Sequence, residues 1–128
     1  MTTTAFGRHA LALAAAALLF WSPARASDPP AKVLFDSDMG SDCDDAGALA
    51  LLHSYADEGR AEIIGCVYSS GKVPYGAAVI EAINVYYGRP HIPVGAAHDD
   101  LVGDPVDKMT AEKLARDREA FGHRIVHN

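Results

Sequence analysis

The 128-residue chain reads as an α/β protein built on an open, mostly parallel sheet with helices on both faces. Three observations lead there. Short runs rich in Val, Ile and Leu alternate with segments whose apolar residues recur every three or four positions. Turn-forming residues, among them Gly59, Gly71, Pro74 and Gly88, fall between those segments. Five aspartates, from Asp36 to Asp45, lie at one strand-to-helix junction, where open α/β sheets hold their ligands.

The first segment stands outside this alternation. Arg8 and His9 precede an unbroken apolar stretch from Ala10 to Trp21, followed by Pro23 and the small-x-small sequence Ala24-Arg25-Ala26. That is the order of a secretory signal peptide, residues 1–26, cleaved after Ala26. The apolar stretch falls short of the roughly 20 residues that span a bilayer, which makes an uncleaved anchor the weaker alternative. No later segment is long and apolar enough to cross a membrane. Residues 27–128 are therefore expected to form one exported α/β domain, periplasmic or secreted, with homo-oligomerisation left open.

Loss of Arg8 and Arg25 reduces the 11 basic residues to nine, while all 17 acidic residues remain, a formal charge of −8. An acidic chain without a Lys/Arg cluster is a poor partner for nucleic acid or anionic lipid and suits a cation better. Cys43 and Cys66 could pair in an oxidising compartment, but one pair at this spacing is no disulfide framework. Cys66 reads as a buried strand residue.

Each element has its own signal. Val33, Leu34 and Phe35 in succession suggest a first strand buried on both faces, broken by Gly40 and Ser41. A helix is expected over 44–58, with Leu49, Leu52 and Tyr55 beside Ala48 and Ala56 as its apolar side. "AEIIGCVYS" reads as the second strand. Pro74 is placed to start a second helix over 75–87, which Gly88 ends. "HIPVGAA" reads as a short third strand, 98–109 as a loop, and "TAEKLARDREAF" as one mostly polar helix capped by Thr110. The final "GHRIVHN" offers no closing element. With two clear helices for three parallel strands, the sheet looks unfinished.

The aspartates carry the chemistry. Asp36 and Asp38 are expected at the carboxyl end of the first strand, on one side of it if the strand persists, with Asp44 and Asp45 at the start of the next helix. The helix dipole eases their repulsion by only about 0.3–1 kcal/mol per carboxylate. A divalent cation relieves it far better, and carboxylate oxygens favour Ca²⁺ or Mg²⁺ over softer metals. An EF-hand loop begun at Asp36 fails, because Gly40 and Gly47 fall on ligand positions. A phosphatase with an Asp-x-Asp nucleophile fits Asp36-Ser37-Asp38, but it leaves Asp44-Asp45 unexplained and finds Gly40 where Thr or Val is usual.

"VLFDSDMGSDCDDAGALALL" resembles the N-terminal signature of the inosine-uridine-preferring nucleoside hydrolases, Asp-x-Asp-x-Gly-x-Asp-Asp-Ala, in a longer form with two extra residues after Gly40. The resemblance continues through "EIIGCVYSSGK" and "AINVYYGRPHIPVG". It implies a Rossmann-like sheet, a bound Ca²⁺ and hydrolysis of the N-glycosidic bond of ribonucleosides. Asp38 then ligates calcium and is the base for the attacking water, Asp45 ligates calcium, and Asp44 holds ribose hydroxyls with Asp36 in support. Lys72 stands in the ribose-binding turn where the family usually has Asn, so it either joins the substrate site or swings out to solvent.

Family domains are more than twice this length, and their remaining calcium ligands and the His near the leaving base come from later sequence. The chain is accordingly expected to be the N-terminal part of such a hydrolase. A secreted nucleoside- or ribose-binding remnant, or an inactive fragment, is the alternative from a different class. Among the other residues, His53, His91 and His98 are expected to pack or face solvent, Asp42 to be a solvated loop residue, and Tyr86-Tyr87 to form core and rim.

Overall fold

The computed structural model describes residues 28–40, 43–70, 73–97 and 110–127. The signal-peptide assignment, Asp42, Lys72 and the loop at 98–109 lie outside those residues. Five elements follow in the anticipated order: β1 (Ala31–Ser37), α1 (Asp44–Asp57), β2 (Ala61–Tyr68), α2 (Gly76–Tyr86) and β3 (Val94–Ala96). Two short helices come after them, α3 (Thr110–Arg116) and α4 (Arg118–Phe121). The strands form an open parallel sheet in the order β1-β2-β3. An α/β chain with a parallel sheet is what the alternating pattern predicts.

A register slip shapes the sheet. Ala31 to Val33 pair with Ala61 to Ile63, and then Leu34 pairs with Gly65 and Phe35 with Cys66. Ile64 is the extra residue of this bulge. It shifts the alternation of β2 by one, so that Cys66 and Tyr68 follow Ile63 into the interior.

Both connections step to the next strand in the same direction, and right-handed crossovers then put α1 and α2 on the same face of the sheet. The two helices touch each other there, while α3 and α4 pack on α2. The core between them holds Leu49, Ile63, Cys66, Tyr68, Val73, Ala77, Ile80 and Ile92. On the other face Leu34 is 58% exposed and Ile64 46%. The expected helices on both faces are therefore not found among the described residues, and β1 is buried on one face only.

Tertiary contacts also moved other details. On α1 the buried side is Leu49 and His53, with Leu52 and Ala56 half-buried, whereas Ala48 is exposed. From Gly76 to Ala82 every α2 residue is buried, because the helix is covered by the sheet on one side and by α3 and α4 on the other. That helix starts two residues after Pro74, and its end is followed by Gly88 at φ 73°, as its glycine suggests.

The predicted single helix at 110–121 is broken at Asp117, whose carboxylate accepts from the Ala120 amide at 3.2 Å. Aspartate competes for backbone donors inside a helix and so caps a new one instead. Ala111 and Ala115 are buried, so this segment is more than a solvated face.

The chain end does have an anchor. Buried Glu81 on α2 accepts from the amides of Arg124, at 2.7 Å, and Ile125, and from Arg124 Nε at 3.1 Å. Burial alone would raise the Glu81 pKa, but these hydrogen bonds bring it below the usual carboxylate range. His123 is buried beside this anchor and donates from Nε2 to Ala115 O at 2.9 Å.

Candidate functional site

The acidic junction is built from the carboxyl end of β1. Ser37 is buried, and its Oγ accepts from the Met39 amide at 3.0 Å. This two-residue bond turns the chain as soon as the strand ends, and it sends the Met39 side chain into the core. Asp36 and Asp38, on either side of inward-facing Ser37, are both exposed. The strand stops at Ser37, so Asp38 belongs to the turn and not to the strand.

On the far side of the junction, Cys43 occupies the N-cap of α1 without a side-chain cap bond, and its carbonyl accepts from the Gly47 amide at 2.9 Å. Asp44 and Asp45 form the first turn, with Asp44 exposed and Asp45 half-buried. Leu49 one turn later is fully buried and ties that turn to the sheet. A helix start with two carboxylates is electrostatically favourable, because four backbone N–H groups there lack intrahelical partners.

The neighbouring strand end is fixed as well. The Ser69 amide donates to Ser37 O at 2.9 Å, extending the β1–β2 pairing to the rim of the sheet. Tyr68 Oη donates to Val73 O at 2.9 Å, which clamps the turn between β2 and α2. Gly76 lies directly against the Tyr68 ring, where a Cβ would overlap the ring carbons. That turn also holds Lys72, the expected substrate contact, which is outside the described residues.

The fold thus brings Asp36, Asp38, Asp44 and Asp45 to one end of the parallel sheet, at a strand-to-helix junction. It does not bring three or more His, Cys, Asp or Glu side chains together as a metal-holding group among the described residues. The donor chemistry of these carboxylate oxygens suits a hard cation. Cys43 and Cys66 are both free, the first exposed and the second buried. Burial pushes the Cys66 thiol pKa up, against a weaker opposing bond from Asn84.

Three contributors were not singled out from the sequence: Ser37, Tyr68 and Gly76. Ser37 lies inside the Asp-x-Asp sequence, and a serine whose hydroxyl can cap the amide two residues on is a recognisable turn signal. Nothing local marks Gly76, whose need is created by a ring eight residues earlier.

No protein-family model, no curated protein and no solved structure matches this chain.

Proposed function

We propose that the acidic junction is part of a Ca²⁺-dependent nucleoside hydrolase site, in an exported protein, with a ribonucleoside as substrate. One observation carries this reading: the Asp-x-Asp-x-Gly…Asp-Asp pattern spans the carboxyl end of β1 and the first turn of α1. Asp38 and Asp45 would hold the ion, supplying part of the 6–8 oxygen ligands that calcium takes. When bound there, the ion would supply Lewis-acid polarisation of a water. Asp38 would take a proton from the attacking water, and Asp44 would hold the ribose hydroxyls. Cleavage builds positive charge on the ribose ring, which a cluster of fixed carboxylates stabilises. Asp36 supports the cluster, and Lys72 takes a place in the ribose-binding turn.

The test is calorimetric calcium binding with a parallel ribonucleoside hydrolysis assay, on the exported chain and on an Asp38→Ala, Asp45→Ala double variant. Calcium binding and slow hydrolysis, both lost in the variant, are the expected results, the binding weak because Asp38 and Asp45 supply only part of the ligand set. Binding that the variant shares would sink the assignment.

A second reading is a ribose- or nucleoside-binding protein without catalysis. It is favoured by the lack of three converging ligands among the described residues. Nucleoside binding without hydrolysis at saturating calcium would select it.

A further inference from the structure

A polar chain threads the apolar layer between α1 and α2. His53 on α1 is fully buried, with Nε2 2.9 Å from Asn84 Oδ1 on α2. Asn84 Nδ2 lies 3.7 Å from Cys66 Sγ on β2. Tyr87 stacks on the imidazole at 4.5 Å between centroids and 11° between planes. Arg89 closes the other edge of the ring, with one guanidinium nitrogen 3.4 Å from His53 Nδ1 and the other donating to Asp57. The Arg89 amide donates to Asn84 O at 2.8 Å, and Arg89 O accepts from the Ile92 amide at 3.2 Å.

The guanidinium has donors only, so His53 Nδ1 must be the acceptor. The single ring proton is then on Nε2 and is donated to Asn84 Oδ1. That fixes the amide, whose Nδ2 donates toward the Cys66 sulfur. Every polarity in the chain follows from Arg89 at its end.

We propose that this chain is an acid-sensitive latch, in which protonation of His53 Nδ1 releases Arg89 and opens the turn 87–92 that leads into β3. A proton on Nδ1 replaces the acceptor facing Arg89 with a donor and sets an imidazolium against a guanidinium. In the closed form burial does most to lower the His53 pKa; the Asn84 bond opposes this, Arg89 adds to the lowering and Asp57 counters it. Asn84 faces the ring from α2, Tyr87 and Arg89 from the following turn, and Asp57 from the end of its own helix. Cys66, behind Asn84 on β2, stays a neutral thiol in the same range because burial raises its pKa. His91 on the same turn is exposed. Once the turn opens, His53 regains an ordinary pKa of about 6.5. The closed form is thus fully favoured above about pH 6.5 and loses ground as pH falls below it.

Amide exchange on the whole chain, with each rate corrected for its intrinsic pH dependence, tests the latch. Between about pH 7.5 and 5.5, protection at the Arg89 and Ile92 amides is expected to fall, by up to about tenfold. Protection at the Cys66 and Val79 amides should hold. His53→Gln keeps a donor for Asn84 Oδ1 but does not titrate, so it should abolish the pH difference although His91 and His123 remain. Unchanged wild-type protection, or a pH response that survives in His53→Gln, overturns the proposal. If the variant does not fold, imidazole nitrogen NMR of the wild type decides. An Nε2–H tautomer at neutral pH that titrates together with the amide opening supports the latch, and an Nδ1–H tautomer, or titration without opening, refutes it.

Discussion

Replacing Glu81 should detach the end of the chain from α2. Its carboxylate is nearly fully buried and accepts two backbone amides, from Arg124 and Ile125, on one oxygen, and the Arg124 guanidinium on the other. A hydrogen bond to a charged group contributes about 1.5–3 kcal/mol, whereas an exposed ion pair contributes about 0–1 kcal/mol. The Arg124 side chain is exposed, so its share belongs to the second class. Glu81→Ala should therefore cost about 3 kcal/mol, mostly from the two unpaired amides. Glu81→Gln keeps an oxygen for both amides and turns its NH₂ toward the guanidinium, for a cost of about 1 kcal/mol. Against a total stability of about 5–15 kcal/mol the alanine effect is large.

The folded-state pKa of Glu81 lies below its ordinary value, so this stabilisation is present above the ordinary carboxylate range. It is lost as pH falls through the folded-state value. Urea denaturation of the three proteins at neutral and acid pH measures these differences. Wild type and Glu81→Ala within about 0.5 kcal/mol of each other at neutral pH would refute the reasoning, since that is the scatter of a surface change.

Other perturbations test other parts of the fold. Gly76→Ala forces a methyl group into the Tyr68 ring, which is itself fully buried, and should cost about 1–3 kcal/mol, read as a lowered thermal midpoint. Ser37→Ala removes the hydroxyl that accepts from the Met39 amide and should cost about 1 kcal/mol, with faster exchange of that amide. A thiol reagent at neutral pH should label exposed Cys43 readily and buried Cys66 only on unfolding; equal rates would contradict the placement of Cys66 in the core. Leu34→Glu on the exposed sheet face should change stability by no more than about 0.5 kcal/mol; a large loss would mean that this face is covered.

Much of this protein was legible in its residues taken in order. The strands and helices from Ala31 to Ala96 follow from local periodicity and from turn residues such as Gly88, because apolar spacing and backbone freedom are properties of a short stretch of chain. The place of the aspartates, at a strand end and a helix start, follows from the same local rules. Their expected roles come from a family resemblance and not from periodicity.

Tertiary structure decided the rest. A Val-Leu-Phe run looks the same whether a strand is covered on one face or two, and only the direction of the crossovers left Leu34 in the open. The Ile64 bulge is equally silent in sequence, because its cause is the match of two strands and not the pattern of either. Asp117 splits one helical pattern into two helices by capping, a competition that periodicity does not register. Glu81, His53 and Asn84 read as ordinary polar positions on amphipathic helices, and their burial depends on partners 31 to 44 residues away. A residue's spacing can announce which side of a helix it occupies, but a buried polar group is made tolerable only by the distant donor or acceptor that the fold brings to it.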